Sequence, residues 1–420
     1  MTTAESVERD EPAAPDGKRA TSDPPPDEDP AEGPADGPAE DDASPLGRMA
    51  WIAAPLSIYL ATRIVQFWVL EWMLPPGSLM RDKLLAWDAS WFVRVAQEGY
   101  PTSYQYGPNG ELLGSTLAFF PGYPLMIRAV AAVTGLEHGT AAIALAWIFG
   151  GVVAVLLCAL ATRLWDRRVA LALVTLVCVQ PMSVVFTMAY SEPMFLALVL
   201  ASLLAVHKDR WLLGGLFGFL AGLTRPTGAA LALALIVAAV LHVRNGSLGR
   251  RRWLAVVGAG VACLGAPSYL FWVGRRLDDW PAWFKVQSAG WGTTTDYGVM
   301  VFTFVRDSFR AGDGWVQMSV ALILVAAVAL ALLSVVMMFR GEIWPPLVVY
   351  GLVALALVVG QAGYYHSKPR LLVPVLLTLV PPAIALGRAK PRTAAAALVA
   401  FGLFGLWYGA HMIMVWRYAI

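Results

Sequence analysis

Asp88 stands in Trp87-Asp88-Ala89-Ser90-Trp91-Phe92, directly after the first membrane-length apolar run of the chain. Glu98-Gly99-Tyr100 and Phe119-Phe120-Pro121-Gly122-Tyr123-Pro124 follow it. A carboxylate at the centre of a bilayer costs about 3 kcal/mol or more, whereas Trp and Tyr settle at the interface. An acid framed by aromatics in this way therefore belongs on the membrane surface. A semi-apolar site there raises a carboxylate's basicity and suits a general base that accepts a proton from an attacking hydroxyl. An aspartate that begins a helix also serves simply as a cap, so spacing alone leaves both readings open.

Other polar residues interrupt apolar runs in the same manner. Tyr190-Ser191-Glu192-Pro193 reads as a tight turn in which Glu192 either binds a sugar hydroxyl or pairs with Arg225. Arg225, between Thr224 and Pro226, requires an anion, a carboxylate or a snorkelling route to headgroups. His366, Lys368 and Arg370 crowd one short loop. The planar fork of Arg and the point charge of Lys suit a phosphate at the membrane surface, with lipid headgroups as the plainer occupant. Gln287 and Trp291 belong to a segment, Trp280 to Gly292, that reads as an amphipathic interfacial lid. Tyr123 and Arg128, in the apolar stretch 117–134, complete the candidate substrate-binding set. Asp278-Asp279 beside Arg275-Arg276 reads as a solvated ion-pair cluster, and no metal site or cofactor is expected.

These residues must be positioned by membrane helices. The chain is 58% hydrophobic and 14% charged, and apolar runs of membrane length recur from position 49 onward. The expected class is an all-α polytopic membrane protein with about eleven spans: 49–74, 141–163, 169–188, 191–207, 211–223, 226–243, 253–274, 316–339, 344–363, 371–387 and 393–415. Residues 1–47 hold 14 acids against 3 bases, leaving 28 bases against 15 acids in the remainder. That acidic, aliphatic-poor segment reads as a disordered cytoplasmic tail and not a secretory signal. Residues 48–420 form the membrane domain, with a first large loop over 75–140 that carries interfacial helices and a second over 275–315. If 117–134 does not cross, the basic loops at Arg163 to Arg168, Lys208 to Arg210, Arg244 to Arg252, Arg340 and Arg388 to Arg392 share the tail's side, which is then cytoplasmic. Asp88, Glu192, Arg225 and Arg370 collect on the opposite, extracytoplasmic face. Cys158, Cys178 and Cys263 lack disulfide or zinc spacing.

No Walker loop, GxGxxG or HExxH is present, and the short basic loops lack the aromatic interleaving of nucleic-acid binding. An activated substrate must therefore arrive in lipid form. Trp87-Asp88-Ala89-Ser90-Trp91-Phe92, Phe119-Phe120-Pro121-Gly122-Tyr123-Pro124-Leu125, Ala189-Tyr190-Ser191-Glu192 and Thr224-Arg225-Pro226-Thr227-Gly228, in that order, together resemble bacterial members of the GPI mannosyltransferase 2 (PIG-V-like) family. Resemblance to this GT-C class implies a multi-helical fold, Asp88 as the catalytic base in the first extracytoplasmic loop, and a polyprenyl-phosphate sugar, mannose in this family, as donor. The acceptor is a glycolipid, lipoglycan or protein, and the location a bacterial plasma membrane. Thr227 and Phe92 depart from the family pattern, which expects Asn-like and Tyr residues. The competing reading is a transporter or lipid flippase, against which stands the lack of visible inverted repeats.

Overall fold

The computed structural model describes residues 45–246 and 250–420, and residues 49–420 form one compact unit. The tail expected over 1–47 lies outside the described residues as far as residue 44; helix α1 begins at Pro45. The described residues are helical, with isolated bridges at Tyr106–Leu112 and Thr295–Gln361 and no strand.

α1 (Pro45–Met73) leads into the first loop, which carries the short α2 (Met80–Leu84), α3 (Asp88–Glu98) and α4 (Gly122–Thr134). A run of membrane helices follows: α5 (His138–Leu164), α6 (Arg167–Val179), α7 (Glu192–His207), α8 (Trp211–Thr224), α9 (Gly228–Arg244), α10 (Arg250–Cys263) and α11 (Gly265–Leu277). The second loop holds α12 (Ala282–Trp291) and α13 (Val299–Ala311). α14 (Trp315–Phe339), α15 (Pro345–Val359), α16 (Lys368–Leu371), α17 (Val380–Arg388) and α18 (Pro391–Met414) complete the fold.

Burial on α1 shows which solvent this protein is made for. Tyr59, Arg63, Gln66 and Leu70 recur at helical spacing and are buried, while Ile64, Trp68 and Trp72 on the other face are exposed. The polar stripe faces the bundle and the apolar face looks outward, as a lipid surround requires. The protein is a multi-pass membrane protein.

Five helical segments among the described residues are long and apolar enough to cross: Trp51–Met73, His138–Leu164, Arg251–Leu277, Trp315–Phe339 and Pro391–Met414. α7, α8, α9 and α15 are apolar but have 17 residues or fewer, about 26 Å at most against a hydrocarbon core of about 30 Å. By length and apolarity, five helical segments, and not the expected eleven or so, qualify among the described residues.

Two of the expected spans are broken. The run 169–188 stops at Val179, passes Pro181 and Met182 at φ 66°, and resumes as a 3₁₀ turn over Ser183–Phe186. The run 371–387 belongs to a pair of helical pieces, Tyr365–Leu371 and Leu376–Arg388, bent by 77°; Pro374 falls within the interruption, while Pro381 and Pro382 occupy the first turn of α17, where proline is tolerated. Helix breaks in an apolar surround free carbonyls that need donors, and neighbouring helices supply them. Arg63 donates to the Ser183 carbonyl at 2.8 Å and to that of Cys178. At the second break, Tyr350 reaches Pro374 O at 2.9 Å, Ser334 reaches Leu377 O at 3.1 Å, and Gln180 reaches Val373 O at 3.3 Å.

The basic loops gather at one end. Trp165 Nε1 donates to Glu342 O at 2.8 Å, Arg388 pairs with Glu342 at 3.1 Å, and His242 lies 3.5 Å from Asp209. Glu192 and His207, at the two ends of α7, are about 23 Å apart along the helix, which puts Glu192 at the opposite end from these loops.

Candidate active site

Asp88 is the first residue of α3, where helix dipole and free N–H groups favour a carboxylate. The preceding Trp87 sits at φ 57°, ψ −121°, an unfavourable conformation for a bulky residue, in the sharp turn that leads into the helix. At the far end of α3, Arg128 from α4 donates to the carbonyls of Ala96 at 2.7 Å and Val95 at 3.1 Å. α3 is therefore tied down at its C-terminus while its N-terminus presents the acid.

Glu192 likewise starts its helix, α7, with Pro193 locking the first turn. It is fully buried. Arg225, where the chain leaves α8 in extended conformation, pairs with Glu192 at 2.9 Å and donates to Ser191 Oγ at 2.9 Å. Arg370, on the one-turn α16, pairs with Asp88 Oδ2, lies 3.8 Å from Glu192 Oε1, and stacks its guanidinium 5.0 Å above the Tyr190 ring. The result is a run of alternating charge, Arg225, Glu192, Arg370, Asp88, brought together from four separate parts of the chain. Two carboxylates balance two guanidiniums, which is what lets such charges leave water. Hydrogen bonding is incomplete: Arg225 Nε, Arg370 Nε, Tyr190 Oη and both Glu192 carboxylate oxygens lack a well-aligned partner.

This cluster borders a cavity of about 560 Å³, within the range of small-molecule sites. Asp88, Arg225, Lys368 and Arg370 line its charged side. Its aromatic side comes from Phe119, Phe120, Trp283 and Trp291, and Trp91 stacks on Phe119 at 5.7 Å. α12, in the segment expected as an interfacial lid, contributes Trp283, Gln287 and Trp291 to the cavity wall. Gln287 Nε2 donates to Ala118 O at 3.0 Å, and Trp283 Nε1 to the same oxygen at 3.3 Å. Gly290 of α12 meets Gly114 so closely that a Cβ on Gly114 would lie 2.5 Å from Gly290 Cα.

Two clasps join the loops. Arg276 donates to the carbonyls of Tyr100 and Pro101, each at 2.7 Å. Asp279 takes Lys285 at 2.6 Å and the Tyr104 hydroxyl, and these donors, Lys285 first, hold its carboxyl below the usual aspartate range. Asp279 is thus a clasp between loops, and Arg276 serves carbonyls instead of a neighbouring acid.

Of the residues singled out from sequence, Asp88, Arg225, Gln287, Lys368 and Arg370 line the cavity, and Glu192 lies behind it between the two arginines. Lys368 spends hydrogen bonds on Val358 O at 2.8 Å and on Gln361 O, capping the end of α15. The remaining three lie elsewhere. Tyr123 is buried, donating to Ala142 O at 2.7 Å. Arg128 serves the α3 carbonyls. His366 is buried among rings, 5.4 Å from Tyr364, 5.9 Å from Trp416 and 6.0 Å from Tyr418. Sequence reasoning overlooked Tyr190 as the platform under Arg370, and the Thr293-Thr294-Thr295 wall, which the Thr295–Gln361 bridge holds against the end of α15. A threonine run after a glycine carries no signal of its own in the sequence.

No family model matches the sequence, and no curated protein matches it. Solved structures do resemble the fold. ArnT from Cupriavidus metallidurans bound to undecaprenyl phosphate superposes with a TM-score of 0.50 at 16% identity, over 85% of this chain and 63% of that one. The archaeal oligosaccharyltransferase AglB from Archaeoglobus fulgidus, in complex with an inhibitory peptide and a dolichol-phosphate, gives 0.48 at 12% identity, over 86% and 56%. The chain spans less than two thirds of the length of each. The all-helical membrane fold is GT-C-like.

Proposed function

We propose that this chain is a membrane glycosyltransferase that moves mannose from polyprenyl-phosphate mannose to a hydroxyl acceptor, with inversion at the anomeric carbon. The observation that carries this reading is the meeting of Asp88 with Arg370 on the wall of an aromatic-lined cavity in a GT-C-like fold. Asp88 takes the proton of the acceptor hydroxyl. The hydroxyl oxygen then attacks the anomeric carbon as the bond from that carbon to the phosphate oxygen breaks, and polyprenyl phosphate departs with the electron pair. Arg370, Lys368 and Arg225 supply positive charge where the phosphate's negative charge grows. ArnT, of the same fold, binds undecaprenyl phosphate, which supports a lipid phosphate as the carrier. Mannose, and membership of the PIG-V-like subfamily, rest on the four sequence motifs.

The basic loops lie at the end opposite Asp88, which supports an extracytoplasmic site and a cytoplasmic N-terminus in a bacterial plasma membrane. Because the donor phosphate carries a single charge and three cationic side chains face it, activity is expected to survive EDTA. Incubating purified protein with radiolabelled polyprenyl-phosphate mannose and candidate acceptors, with products read by mass spectrometry, tests the reading. Transfer is expected; vesicle transport of the donor without transfer would make the protein a flippase instead.

A further inference from the structure

Arg370 is already committed to Asp88, and this conflicts with a fixed role as a phosphate clamp. Its Nη1 is paired with Asp88 and its Nε lies 3.8 Å from Glu192 without a hydrogen bond. The four-residue charge run is balanced as it stands. A phosphate entering the cavity adds an anion beside two carboxylates, and repulsion at these short distances is strong in a partly desolvated site. Other cations nearby are also engaged: Lys368 with two carbonyls, Arg225 with Glu192 and Ser191, and Lys285 with Asp279. Arg370 differs in lying over the face of Tyr190 at 5.0 Å. A guanidinium on an aromatic face keeps its attraction while it turns in plane.

The geometry points to Arg370 as an exchange residue. It holds Asp88 in an ion pair; the phosphate group of a lipid-linked donor displaces the Asp88 carboxylate from it, and Asp88 is thereby released to accept the acceptor's proton. Glu192 keeps Arg370 within reach of both partners. This rests on the lipid-phosphate reading given above and adds an order to it: the base is unmasked only after the donor is bound, so an acceptor or water arriving alone meets a carboxylate that is still paired.

The exchange makes Asp88 a competitor of the phosphate for the Arg370 guanidinium. Binding of undecaprenyl phosphate to the full chain in nanodiscs of zwitterionic lipid measures it. Asp88→Asn is expected to bind the lipid about tenfold more tightly than wild type, the low end of what close charge pairs contribute. Asp88→Ala is expected to do the same, so the result does not depend on one variant, and thermal unfolding of each variant confirms that it is folded. Arg370→Lys is expected to weaken binding in either background. Unchanged or weaker binding in the folded Asp88 variants overturns the exchange while leaving the lipid-phosphate site standing. Absence of binding in wild type and every variant overturns that site, and the exchange with it.

Discussion

At Asp88, substitution by Asn keeps size and shape while removing the basic oxygen. Turnover is expected to fall by about a hundredfold or more, and the transfer assay with saturating donor checks it. Arg128 does not line the cavity beside Asp88, yet it holds the C-terminal carbonyls of α3. Arg128→Met is therefore expected to lower kcat through misplacement of Asp88, with affinity for polyprenyl phosphate little changed. Arg225 acts differently, because its loss leaves Glu192 buried with Arg370 as the remaining cation, at 3.8 Å. Breaking a buried pair costs about 3 kcal/mol or more, so Arg225→Met is expected to lower the unfolding temperature in detergent. Adding Glu192→Gln is expected to recover part of that loss, as a double-mutant cycle shows. That Asp88, Arg225 and Arg370 bear on the site was legible from residue type, since charge in an apolar chain demands a partner. His366 shows where this logic stops. It stands four residues from Arg370 in the same polar loop, but its ring packs among Tyr364, Trp416 and Tyr418 and does not line the cavity.

Among the elements, the broken helices explain why an apolar plot misjudges the spans. Arg63 supplies hydrogen bonds to carbonyls freed at the first break, and an unsatisfied buried group costs about 1–3 kcal/mol. Arg63→Met, which keeps bulk but removes the donors, is expected to destabilise the fold by at least that amount in a denaturation series. α12 offers a test of the lid. Gly290 and Gly114 touch backbone to backbone, and a Cβ on Gly290 would sit 2.7 Å from Gly114 Cα. Gly290→Ala is expected to lift α12, weaken the Gln287 contact with Ala118 and raise KM, while the melting profile stays near that of wild type. The Lys285 and Tyr104 donors of the Asp279 clasp lower that carboxyl's pKa, so its stabilising contribution is complete above the ordinary aspartate value of 3.8 and is lost only as pH falls through the lower value. Activity changes between pH 5 and 8 are therefore expected to persist in Asp279→Asn, as pH–rate profiles of the two proteins check.

Over the whole molecule, the polar site and the basic loops occupy opposite ends of the same helices. A membrane-impermeant thiol reagent is expected to label Thr295→Cys from outside intact cells and Arg210→Cys only after permeabilisation; the reverse pattern would remove the extracytoplasmic assignment.

Composition alone determined that this chain lives in a membrane, because lipid responds to apolarity averaged over some twenty residues and no tertiary contact can undo that average. It also marked Asp88, Glu192, Arg225 and Arg370 as residues that need an explanation, because unpaired charge is costly in an apolar surround. Only the tertiary structure decided who partners whom. Asp88 and Arg370 are 282 positions apart, and no local period links them; the fold brings α16 against the start of α3. The fold likewise decided which helices are interrupted, since a break is tolerable only where side chains such as Arg63, Tyr350 and Gln180 arrive from elsewhere to satisfy the freed carbonyls.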